Sequence, residues 1–158
     1  MKHVLPLLFL ALSQAACGFQ PLYANPGVAG AEAGLIEIAP IQGREGHILR
    51  RALQQELAVG VPGVTEQVTL TINLRSNLGR LALQPDGAAS RSSVLASGNY
   101  RLRGEKLNVR GSASVETAFL VPDSPYGDIA AQTSAYDRAM RMLAKQIADD
   151  IRLKLADS

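Results

Sequence analysis

Few side chains in this sequence of 158 residues are equipped for chemistry. It has one cysteine, Cys17, and two histidines, His3 and His47. A disulfide needs a second cysteine, a structural metal site needs more ligands than one thiol, and a catalytic thiol needs a base beside it. His47 falls early in a helical pattern, beside its apolar stripe, and reads as a partly packed side chain rather than a ligand. Asp149 and Asp150 are neighbours in a second helical pattern. Their side chains point about 100° apart, which suits a solvated helix face better than an acid–base pair. The serines have no histidine placed by motif to activate them. Glu116, Asp123 and Asp128 fall in strand and loop patterns without other ligand types, and no phosphate-cradling glycine motif occurs in context. The expectation is no enzyme, no metal and no cofactor. Two chemistries remain: attachment at Cys17, and anion recognition by basic residues. Arg75 and Arg80 sit around one strand end, Arg101 and Arg103 share one face of another strand, and Lys106 occupies the turn that follows. Guanidinium groups fork onto phosphate oxygens. Solvated strand arginines that discourage edge pairing have the same appearance, and both readings stay open.

The surroundings of Cys17 favour attachment. Lys2 and His3 precede an apolar run from Val4 to Leu12, broken by Pro6, and Ser13, Gln14, Ala15 and Ala16 follow. Crossing a bilayer takes about 20 apolar residues, and no later segment reaches that length. A short run ending in small residues is the pattern of a secretory signal. Ala15-Ala16-Cys17 resembles the lipobox of bacterial lipoproteins, with Gln14 standing where an aliphatic residue is usual. The resemblance implies a lipidated Cys17, cleavage before it, and, with Gly18 in place of aspartate, an outer-membrane destination. Each buried acyl methylene contributes about 0.8 kcal/mol, and more than one chain makes anchoring stable. The division expected is a signal over 1–16, the lipidated cysteine and a flexible tether over 17–34, and a single domain over 35–158. Lys2 is the only Lys, Arg, Asp or Glu in the signal, so its removal leaves 15 basic residues against 14 acidic ones. This balance argues against a general nucleic-acid binder.

Periodicity supplies the frame that must hold the arginines. LIEIAPI (35–41) reads as a first strand. Over 44–58, Ile48, Leu49, Ala52, Leu53 and Leu57 fall on one helical face, and Gly60, Pro62 and Gly63 end the helix. Val68, Leu70, Ile72 and Leu74 alternate with Thr69, Thr71, Asn73 and Arg75, as in a strand with one buried and one polar face. A turn is expected at 84–87, a strand over 91–103 interrupted at Gly98, a tight connection at 104–106, and a strand over 107–121. A closing helix over about 129–156 carries the stripe Tyr136, Met140, Leu143, Ile147, Ile151 and Leu155, with Asp128 as its N-cap. The sum is an α+β two-layer sandwich: two helices on one face of a mainly antiparallel four-stranded sheet. Its core must be aliphatic, because the chain has no tryptophan and few other aromatic residues.

CGFQPLY, IAPIQGREGHILRRALQQEL and YGDIAAQTSAYDRAMRMLAKQIADDIRLKLA are similar to the lipopolysaccharide-assembly lipoprotein family LptE, in its alphaproteobacterial form. The resemblance covers nearly all of the chain after the signal. It implies a two-layer α/β sandwich without catalysis, anchored by its lipid in the outer membrane. It also implies a seat as a plug inside the β-barrel LptD and a part in delivering lipopolysaccharide to the outer leaflet. Contact with lipopolysaccharide through basic residues is implied as well, but no motif assigns them position by position. Two other roles fit the same residues: an auxiliary lipoprotein of an ABC-type lipid transporter, and a structural envelope lipoprotein.

Overall fold

The computed structural model describes residues 34–83 and 89–156. The expected signal, Cys17, the tether up to residue 33 and the turn at 84–87 lie outside the described residues. The elements run β1 (Ile36–Ile38), α1 (Gly43–Glu56), β2 (Val68–Leu83), β3 (Ala89–Arg103), β4 (Asn108–Leu120) and α2 (Pro125–Ala156). The sheet order is β1-β2-β3-β4, so strands adjacent in sequence are adjacent in space.

Alternation along β2 decides which side is covered. Val68, Leu70 and Ile72 are buried, as are Val94, Ala96, Tyr100 and Leu102 of β3 and Ala113 of β4. Leu49 and Leu53 of α1 meet them from above, together with Met140, Leu143, Ile147 and Ile151 of α2. Full burial of one such side chain contributes about 1.5–3 kcal/mol. Both helices therefore lie on one face, as the pattern predicts.

The sheet is mainly antiparallel, as expected, and mixed only in that β1 pairs parallel with β2, Ile36 opposite Val68 and Ile38 opposite Leu70. The chain returns through α1 before β2, and such a return delivers a parallel strand. β3 runs unbroken through Gly98, which pairs with both Leu74 and Ala113. A Cβ there would sit 3.3 Å from Ile147 Cδ1, so the glycine lets α2 lie close to the sheet rather than ending the strand. α2 starts a turn earlier than expected. Ser124 caps it, its Oγ accepting the Gly127 N–H at 3.1 Å, and Pro125 takes the first helical position, where no N–H is needed. Asp128 lies inside that first turn, where the helix dipole favours a carboxylate. Its Oδ2 accepts from Gln132 Nε2 at 3.0 Å. His47, too, differs from expectation: it is exposed rather than partly packed.

Candidate functional site

The polar side chains of β2, β3 and β4 form the sheet face away from the helices. The strand register orders them in rows. Thr69, Arg103 and Asn108 form one row, Thr71, Arg101 and Arg110 the next, and Asn73, Asn99 and Ser112 a third. A shallow groove of about 580 Å³ runs over them, lined by Thr69, Thr71, Asn73, Asn99, Arg101, Arg103 and Arg110. Arg101 stands directly opposite Arg110 on the neighbouring strand. Like charges so placed destabilise a sheet. Among the described residues, the side-chain ion pairs all lie on α2, joining Asp137 to Arg141, Asp149 to Lys145 and Arg152, and Asp150 to Lys154, and none reaches these arginines. The groove is thus a cationic surface with hydroxyl and amide donors beside it, suited to phosphate or another polyanion.

The expected basic set is only partly brought together. Arg101 and Arg103 share the groove. Lys106 lies in the turn immediately beyond Arg103. That turn is tied down by Glu66, whose Oε1 accepts the N–H of Lys106 at 2.9 Å and of Leu107 at 3.1 Å. Arg75 and Arg80 do not cluster. They are five residues apart on β2, an odd spacing, and strand alternation sends them to opposite faces. Arg75 pairs with Ser97 in the polar set, whereas Arg80 pairs with Ser92 in the other. Arg110 also belongs to this groove, though nothing in the local sequence pattern ties it to Arg101. Its parity within β4 marks it as polar-facing, but only the register places it beside Arg101. Farther along the same face the character changes, with Leu95 and Leu120 exposed at 47 % and 76 %.

Beneath the groove, a partly buried link fixes the end of α2 to β3 and β4. The Tyr100 hydroxyl donates to Asp150 Oδ2 at 2.5 Å. Lys154 Nζ donates to the same oxygen at 2.8 Å and to the Arg110 carbonyl at 2.9 Å. It also stands 5.3 Å from the centre of the Tyr100 ring. Burial, then the bond to Asp150, pushes the Tyr100 hydroxyl up to about 12. For Asp150, burial acts to raise the carboxyl, but Lys154 and Tyr100 outweigh it and hold it below the usual range. Gly111 makes the space: a Cβ there would run into Lys154 Nζ, Tyr100 Oη and Asp150 Oδ2. Of the two aspartates read as solvated, Asp149 is so, pairing with Lys145 and Arg152 at the surface. Asp150 is instead half-buried in this link.

A family model for lipopolysaccharide assembly, LptE, matches residues 35–155. This chain belongs to the LptE family. The family is one of non-enzymatic lipoproteins of the Gram-negative envelope. Among solved structures, a protein described as a lipoprotein from Caulobacter crescentus CB15 is similar at 25 % identity and TM-score 0.63. The match covers 85 % of this chain and all of that one. An uncharacterized lipoprotein B from Nitrosomonas europaea shares the fold at 12 % identity and TM-score 0.56, over 77 % of this chain and 83 % of its own. A minor lipoprotein from Acinetobacter baumannii does so at 11 % and 0.53, over 75 % and 91 %. No curated protein matches the sequence closely enough to count. Among the described residues of this LptE-family chain, no group of three or more His, Cys, Asp or Glu is placed to hold a metal ion, and no helix is long and apolar enough to cross a membrane.

Proposed function

We propose that this LptE-family chain is a lipoprotein anchored through Cys17 to the outer membrane. There it seats as a plug in the β-barrel LptD, assists the assembly of that barrel, and takes part in carrying lipopolysaccharide to the outer leaflet. The observation that carries this reading is the solvent face of the sheet. A barrel lumen is polar, and a domain seated in one must offer polar surface to it. Thr69, Thr71, Asn73 and Arg75 of β2 provide such a surface, continued by Asn99 and Ser112. The same face carries Arg101, Arg103 and Arg110 at one end; at the other, exposed Leu95 and Leu120 stand opposite Glu116 and Arg91. The basic end suits the phosphates of an amphiphile, and the exposed leucines are available to its acyl chains. Arg101 and Arg103, with Lys106 beside them, are assigned to the phosphates, and Arg110 joins them. Arg75 flanks the groove; Arg80, on the other side of β2, is the weakest member of the set.

Copurification from outer-membrane extracts tests the partner. LptD should be recovered, and depletion of the chain should lower LptD assembly and surface lipopolysaccharide. Recovery of an inner-membrane ABC permease without LptD would move the protein to another transport system, and recovery of neither would leave an envelope role without transport. Charge reversal of Arg101 and Arg103 together should weaken lipopolysaccharide binding more than it weakens the LptD complex. Equal binding by wild type and the double variant would discard the arginine assignment alone. Mass spectrometry of the native N-terminus tests the anchor: acyl groups on Cys17 support it, and a free thiol behind an intact Met1–Ala16 overturns it.

A further inference from the structure

β4 is an edge of the sheet and 13 residues long. Proteins blunt such edges with charged side chains, proline, bulges, very short strands or a covering element. β4 contains no proline or lysine, its two charges, Arg110 and Glu116, are of opposite sign, and its register with β3 runs without a bulge. Which backbone groups it leaves open follows from its pairing. The Val121 N–H donates to the Ser90 carbonyl at 3.1 Å, and the Leu107 carbonyl accepts the Gly104 N–H at 2.8 Å. Odd-numbered residues therefore bond to β3, and the even-numbered ones, Arg110, Ser112, Ser114 and Glu116 among them, turn N–H and C=O outward. Lys154 reaches one of these, the Arg110 carbonyl, which keeps a second lone pair.

The side chains on this edge are complementary to themselves. Pairing a second β4 antiparallel, with Ala113 opposite Ala113, sets Arg110 opposite Glu116 twice and Ser112 opposite Ser114 twice. A shift of two residues in either direction loses both charge pairs. The centre of the strand, Gly111 to Ser114, is small throughout and admits close approach. The row Thr71, Arg101, Arg110 would continue into Glu116 of the second copy, which offsets the repulsion between the two arginines. The other open edge, β2 beyond its short pairing with β1, carries Arg75 and Arg80 without an acid and is irregular after Arg80. Two copies of that edge repel.

We propose that β4 is a self-association surface, through which two free copies of this chain join antiparallel about Ala113 into one eight-stranded sheet. Helix α2 packs over β4 and β3. The two α2 helices then lie side by side over the joined sheet, across the two-fold axis. The inference concerns the chain before it meets another protein and does not depend on which barrel or permease it serves.

The test uses the full chain, produced in excess, extracted in detergent and purified away from any barrel or permease, with its mass measured by light scattering after subtraction of the detergent. Wild type should weigh two chains. Arg110→Glu and Glu116→Arg should each halve the mass, and the two together should restore it. Hydrogen exchange supplies a second reading. In wild type the amides of Ser112 and Ser114 should exchange at least about ten-fold more slowly than in either single variant, while odd-numbered β4 amides, bonded to β3, stay protected wherever the fold is intact. A monomeric wild type would overturn the proposal. So would open-ended filaments, a mass unchanged by the single reversals, or a double variant that stays monomeric although its odd-numbered amides are protected.

Discussion

The two faces of the sheet are built from the same three long strands, one residue out of step. On the helix side, Leu70 and Leu102 lie side by side and fully buried, with Ile72 and Tyr100 in the next row. On the other side, one position along, Thr71, Arg101 and Arg110 meet solvent. The helix-side face holds the fold together, and its neighbours constrain every change. The solvent face is free to carry charge that costs stability, and it keeps two arginines opposite each other. Repulsion is tolerated where the fold does not depend on the contact, and a local conflict of this kind is what the proposed ligand-binding role of that face would explain.

The sharpest way to break this division is Ile147→Ala on the covered face. Ile147 is fully buried and touches the space above Gly98, so the truncation should cost about 2–5 kcal/mol in urea unfolding. An unchanged midpoint would mean that α2 is not seated on the sheet. Gly111→Ala comes next. The added methyl must push Lys154, Tyr100 and Asp150 apart, at a cost of about 1–3 kcal/mol, read by thermal unfolding. Asp150→Asn should cost about 1 kcal/mol near neutrality. Because the fold lowers the Asp150 carboxyl, its contribution is present above the unfolded value of about 3.9 and is lost as the pH falls through the lower, folded value. The stability gap between wild type and Asp150→Asn should therefore close in acid; a gap that stays constant to low pH would show that the carboxylate charge has no part in the link. On the solvent face, Thr71→Ala should move stability by no more than about 0.5 kcal/mol. A loss comparable to that of Ile147→Ala would erase the distinction between the faces.

Alternation and helical spacing read locally, and what they specify was legible. Val68 to Arg75 declared both faces of β2, and Leu143, Ile147 and Ile151 declared the stripe that α2 buries. Relations between distant residues were not legible. The parallel pairing of β1 depends on how the chain returns from α1, and no residue in LIEIAPI states it. Gly98 looked like a break in its strand, because only the packed helix gives its missing side chain a purpose. Arg110 needed the β3–β4 register to join Arg101. The separation of Arg75 from Arg80 was available from parity alone, and nearness in sequence concealed it. The link from Tyr100 to Asp150 spans fifty positions, so neither residue advertises the other.

The placement of α2 at the end of the chain bears on how the protein is made. The apolar side of β3 and β4 is covered chiefly by residues 135–155, the last part of the domain to be synthesised. Until that helix arrives, the apolar side of β3 and β4 lacks most of its cover, with α1 alone on that face, so a chain cut before residue 125 is expected not to fold stably. Such a chain is expected to need shielding from aggregation until α2 has been made.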